Sequence, residues 1–167
     1  GRRRIAAIGA QRVDHGHTAA LRRRGFEEAL GAAGLAADEH RFGYVEAFHR
    51  ADGAAAMHRL LTGDEPPDAV FCFNDLLALG AIRALYEHGL SVPDDVAVVG
   101  FDDIDEGRFS TPTLTTITPD KAQIAEQAVA ALLHRVNGAD EPAKELSIDV
   151  GLVVRESTVG RPAVRTP

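Results

Sequence analysis

The sequence predicts an α/β fold, a parallel sheet with helices on both faces, and three observations predict it. Strand-like and helix-like segments alternate through the first hundred residues, the pattern of βαβ units. The runs at 68–73 and 96–100 are almost continuously apolar, as strands covered on both faces must be. Glycine or proline stands where each periodic segment ends: Gly34, Gly63 with Pro66-Pro67, and Gly89.

Residues 4–8 form the first strand candidate, closed by Gly9. A loop over 11–17 follows, and Thr18 stands at a helix N-cap position. In the helix after it, Phe26, Ala29, Leu30 and Ala33 share one apolar face. Residues 42–47 are a second, less apolar strand candidate, and 52–61 a helix with Ala56, Met57, Leu60 and Leu61 inward. After strand 68–73, Asn74 and Asp75 cap a helix that runs to about His88. Pro93-Asp94-Asp95 turns the chain into strand 96–100. Beyond Gly107 the β-rich run 113–117 leads into an amphipathic helix over 120–136, with Ile124, Ala125, Ala128, Leu132 and Val136 on one face. A polar link over 140–142, two closing strands at 145–150 and 152–155, and a frayed tail over 160–167 complete the reading.

Composition narrows the function. With 45% hydrophobic and 26% charged residues, the 167-residue chain can bury a core of its own. The net charge of −7 argues against this segment gripping nucleic acid, which needs clustered Lys and Arg facing phosphates. Arg2-Arg3-Arg4 and Arg22-Arg23-Arg24 read as a strand edge and a solvated helix face. No apolar run approaches the roughly 20 residues of a membrane-spanning helix. The first residues have a basic start without a signal peptide's apolar stretch. Cys72 is the sole cysteine, so no intrachain disulfide can form and a cytoplasmic setting is expected. Lying mid-strand among aromatics, it reads as an inert buried thiol. His15-x-His17 has no third ligand at metal-binding spacing. Phosphate-binding glycine loops and the Gly-x-Ser-x-Gly elbow are absent, so no enzyme and no cofactor are expected.

In open parallel sheets, ligands bind beyond the carboxyl ends of the strands. The positions to watch are therefore 11–18, 48, 74–75 and 101–103. Pro67-Asp68-Ala69-Val70-Phe71-Cys72-Phe73-Asn74-Asp75-Leu76-Leu77-Ala78-Leu79-Gly80, the segment from Gly89-Leu90-Ser91-Val92-Pro93 to Gly100-Phe101-Asp102-Asp103, and Pro112-Thr113-Leu114-Thr115-Thr116-Ile117 occur in order. Together they resemble the lactose-repressor/galactose-repressor (LacI/GalR) family of transcriptional regulators. The resemblance extends upstream through Arg22-Arg23-Arg24-Gly25-Phe26 to the first residues and downstream to 152–157, essentially the whole chain.

The resemblance implies the C-terminal half of a periplasmic-binding-protein-like (type I) core. Residues 1–110 would be its C-terminal subdomain. Residues 111–143 would cross to the N-terminal subdomain, and 144–167 would return. Helix 120–136 would then lack most of its cover. A small-molecule effector, a sugar before a purine, would meet Asp102, Arg22, Asn74, Phe48 and Thr18. Asp102 can accept two hydrogen bonds from adjacent hydroxyls or ring N–H groups, and an arginine fork can brace it. Operator DNA would be bound by an N-terminal helix-turn-helix outside this chain. A homodimer would form through Leu76, Leu79, Arg83, Phe109 and Pro112, covering the outer side of a helix that is apolar nearly all round. The runner-up reading is an exported solute-binding protein of a sugar transporter.

Two departures from the family pattern stand out. The loop over 11–17 is about two residues longer than the pattern, and Pro119 replaces a polar, effector-reaching side chain. Effector identity therefore does not follow from the resemblance.

Overall fold

A computed structural model describes residues 1–12, 17–138, 142 and 145–161. Six strands form one sheet in the order β2-β1-β3-β4-β5-β6: β1 (Ile5–Ala10), β2 (Phe42–Tyr44), β3 (Ala69–Cys72), β4 (Ala97–Phe101), β5 (Thr115–Pro119) and β6 (Val150–Val153). The first five are parallel and β6 runs antiparallel to β5. The register sets Ala7 opposite both Phe42 and Phe71, Val70 opposite Val98, and Gly100 opposite Thr116.

Both faces are covered, as the two apolar runs require. From α1 (His17–Ala32), Phe26 reaches the sheet edge-on to Phe42 at 5.7 Å and stacked on Phe71 at 6.3 Å. On the opposite face lie α2 (Arg50–Leu61) and α3 (Asp75–Glu87), over Ile8, Val70, Cys72 and Val98. Since β1 sends its connection to one side and β3 to the other, a crevice opens above the strand ends between them.

Glycines set two close approaches. Gly9, at φ 129°, lets Phe73 lie against β1 where any Cβ would strike its ring. Between α2 and α3, a Cβ on Gly53 would fall 2.2 Å from the Leu77 carbonyl, and one on Gly80 2.0 Å from that of Arg50. One further side of α3 is thus covered by α2 of the same chain. The outward stripe that remains holds half-buried Leu76 and Leu79 and exposed Arg83 and Tyr86.

Several boundaries differ from expectation. The helix α1 starts at His17, so Thr18 lies in its first turn instead of capping it. The cap of α2 is His49, paired reciprocally with Asp52, which places the helix start two residues early. At the sheet edge β2 stops after three residues. No strand forms over 145–149, and one strand, β6, replaces the expected two. Residues 111 onward do not leave the sheet at once, because β5 pairs with β4 before the helix α5 (Lys121–Val136) departs. Two short helices, α4 (Glu106–Phe109) and α6 (Glu156–Val159), were not anticipated. Most of the polar link over 140–142 and of the tail lies outside the described residues.

Candidate ligand-binding site

The carboxyl ends of β1, β2, β3 and β4 bring Arg22, Phe48, Asn74 and Asp102 to one side of the sheet. Arg22, in the second turn of α1, donates through Nη1 to the carbonyl of Phe73, just past β3. Its Nη2 lies 3.6 Å from Asp102 Oδ1, and its guanidinium stacks 3.9 Å from the Phe101 ring. Burial lowers the Arg22 pKa, and Asp102 works against that shift. Asp102 is pushed above the usual carboxylate range by burial, opposed by Arg22 and Lys121. Its side chain keeps 38% exposure, so the carboxylate remains open to a ligand.

Asp102 is presented by a backbone that L-residues rarely adopt. Asp102 has φ 112° and Asp103 φ 48°. Conformations of this kind cost about 1–3 kcal/mol each and persist where the surroundings over-determine them. Here the Asp102 amide donates to the Ile117 carbonyl at 2.9 Å, and the Asp103 amide to Thr116 Oγ1 at 3.3 Å. Asp103 accepts from Arg155 at 2.6 Å and from Arg108 at 3.4 Å, while Lys121 Nζ donates to its carbonyl at 2.9 Å. The neighbours thus divide the work: Asp103 anchors the turn and Asp102 faces Arg22.

Asn74 caps α3, its Oδ1 accepting from the Leu77 amide at 2.9 Å. Its Nδ2 donates to the Phe48 carbonyl at 3.1 Å, which fastens the loop between β2 and α2 to the site. Phe48 is half-buried against the core. Thr18 is exposed one helical turn before Arg22, on the same side of α1. His15 and most of the loop over 11–17 lie outside the described residues. Of that loop, Gln11 donates to the Glu46 carbonyl at 3.1 Å and Arg12 sits over Tyr44.

Pro119 ends β5 opposite Val150, and its side chain offers no donor or acceptor. Two residues later Lys121 supplies a cation beside Asp102 and Asp103, a contribution that sequence reasoning missed. Also missed was Arg155 on Asp103, whereas Phe101 beneath Arg22 and Asp75 below the turn stood among the strand-end positions to watch without a role assigned to either. The place of Phe101 at the carboxyl end of β4 was the available signal. Arg155 comes from 52 residues away and carried none. Among the described residues, no group of three His, Cys, Asp or Glu could hold a metal ion.

Of the expected interface residues, Leu79 and Phe109 line one groove of about 540 Å³ with Arg50 and Glu106. Phe109 is 80% exposed. Pro112 lines a different groove, with Pro93 and Glu156.

Comparison with known proteins identifies the family. The family described as periplasmic binding protein-like domain matches residues 1–158. The HTH-type transcriptional repressor PurR of Haemophilus influenzae (strain PittEE) is 45% identical over 143 residues, 84% of this chain and 42% of that protein. The chain thus spans under half the length of this curated relative. Among solved structures, a LacI-family transcriptional regulator from Sanguibacter keddieii superposes with a TM-score of 0.87 at 47% identity, over 95% of this chain and 61% of the other. The transcriptional regulator CelR in complex with cellobiose gives 0.88 at 36% identity, over 94% of this chain and 47% of the other. The chain belongs to the periplasmic binding protein-like domain family, and its relatives among the LacI-type regulators match it over the C-terminal, effector-binding part of their own chains.

Proposed function

We propose that this chain is the effector-sensing part of a LacI-type, DNA-binding transcriptional regulator, and that its effector is a sugar. The Arg22–Asp102 pair carries the reading. A half-exposed carboxylate beside a guanidinium, at the ends of parallel strands, matches a ligand with adjacent hydroxyls: the carboxylate accepts from two of them and the fork donates to a third oxygen. Phe48 and the exposed Thr18 extend the same wall. The relative solved with cellobiose supports a sugar. An oxopurine, with ring N–H groups for Asp102 and a carbonyl for Arg22, is the second reading, favoured by the PurR relatives.

In this reading the operator is held by an N-terminal helix-turn-helix domain outside the chain, the protein is a cytoplasmic homodimer, and no reaction is catalysed. Residues 1–110 and the returning 144–167 belong to one subdomain, and α5 belongs to the other. Leu76, Leu79, Arg83, Phe109 and Pro112 contribute to the subunit contact. Effector binding shifts the population between two arrangements of the subdomains, and so of the DNA-binding heads.

Calorimetry on the full-length protein, with a panel of mono- and disaccharides and oxopurines, tests the proposal. The expected result is binding of one panel member, lost by at least about a hundredfold in Asp102→Ala, where two charge-assisted hydrogen bonds disappear. Equal binding by wild type and Asp102→Ala would overturn the site assignment. A bound compound that the full-length protein chemically converts would overturn the regulator reading.

A further inference from the structure

Asp75 is a fully buried carboxylate with no cation bonded to it among the described residues. It opens α3 and lies directly beneath the strained turn. Its Oδ1 accepts from Thr116 Oγ1 at 2.6 Å, and its Oδ2 accepts from the Ile104 amide at 2.9 Å. A Cβ on Gly100 would fall 2.1 Å from Asp75 Oδ1, so the bare backbone of β4 at that point makes room for the carboxylate. Burying a charge without a counter-ion is costly, and hydrophobic packing alone would not select it. Burial pushes the Asp75 pKa up, its bonds to Thr116 and Ile104 pull it back, and nearby Asp102 and Asp103 add to the rise.

The two bonds bracket the residues that need holding. Thr116 receives the Asp103 amide, and Ile104 is the first residue beyond the two positive-φ aspartates. Asn74, next in the chain, ties down Phe48 on the other wall of the site. We propose that Asp75 is a positioning residue for ligand recognition: through Thr116 and Ile104 it fixes the turn that aims Asp102 at the ligand, and it fastens that turn to the N-terminus of α3. The inference rests on Asp102 being a ligand contact. It names a residue that touches no ligand itself.

The test uses the full-length protein with cellobiose and hypoxanthine as probes, together with hydrogen–deuterium exchange of the backbone over 101–106. Asp75→Ala removes both acceptors. It is expected to weaken binding of the recognised probe about tenfold or more, the cost of a buried hydrogen-bonding group left unpaired. Exchange should accelerate at 102–104 while the middle of α3 stays protected. Asp75→Asn keeps an acceptor for Ile104, and Thr116 can turn its hydroxyl to the Ile117 carbonyl; it is expected to stay within about threefold of wild type. Should Asp75→Ala not fold, Thr116→Val removes the hydroxyl at constant shape and should weaken binding about fivefold with faster exchange at Asp103. Binding and exchange unchanged in a folded Asp75→Ala or in Thr116→Val would overturn the inference. So would exchange that rises equally along α3, because the role would then be structural only. If wild type binds neither probe, the ligand reading fails for these two compounds, and the exchange arm still decides whether Asp75 holds the turn.

Discussion

Asp102 and Asp103 share one turn, and their carboxyls are driven in opposite directions. Burial alone would raise both. For Asp103 the hydrogen bonds from Arg155 and Arg108 overcome burial and hold its pKa below the ordinary 3.8, whereas Asp102 stays above that value. A depressed folded-state pKa contributes stability that is present above the unfolded value and lost as pH falls through the folded one. Asp103→Asn is therefore expected to destabilise the protein by about 2 kcal/mol at pH 7, a charged hydrogen bond's worth. Urea unfolding should show the difference shrinking below pH 4, as wild-type Asp103 takes up its proton. Arg22→Lys tests geometry at constant charge. A lysine cannot both stack on Phe101 and reach the Phe73 carbonyl and Asp102, so probe affinity should fall by about tenfold while Tm hardly moves. Asp102 and Asn74 stand out in the sequence because strand-end positions are few and their chemistry is explicit, whereas Arg22, inside α1, came only from the family resemblance. Asp75 was read as part of a helix cap and as a strand-end position to watch, without a partner. Its role depends on Thr116, 41 residues away, and sequence spacing does not encode that distance.

At the scale of elements, the strands and long helices followed from periodicity, because each buries a face whose pattern is written locally. The order of packing did not. The apolar surface all round α3 announced two covers without naming the second, which is α2 lying close through Gly53 and Gly80. Both contacts are to backbone carbonyls, which cannot yield as a flexible side chain would. Gly53→Ala or Gly80→Ala is expected to cost about 1–3 kcal/mol by overpacking. In a domain of this size that lowers Tm by roughly 3–10 °C, measurable by calorimetric scanning. Gly31→Ala, where nothing lies within 4 Å of the new Cβ, serves as the control and should not lower Tm. The strand expected over 145–150 formed only at Val150, for a related reason. Alternation can mark a strand, but pairing needs a free edge, and the described pairing along β5 is with Val150–Val153.

For the whole molecule, the helix α5 stands apart: none of its residues is buried, and Leu132 and Val136 are 63% and 72% exposed. An apolar face of that extent favours association. The 167-residue chain on its own is expected to self-associate at micromolar concentration. Leu132→Glu with Val136→Glu should reduce the apparent mass in light scattering and change the unfolding free energy by only about 0.5 kcal/mol, since no core is touched. The α2–α3 contact has the opposite character. Asn74 fastens the loop ending at Phe48 to the start of α3, and the glycine contacts forbid the two helices to slide past each other. They form a lever without slip. In the proposed regulator, a displacement at the ligand end would be carried along the 13 residues of α3, about 20 Å, towards Arg83 and Tyr86.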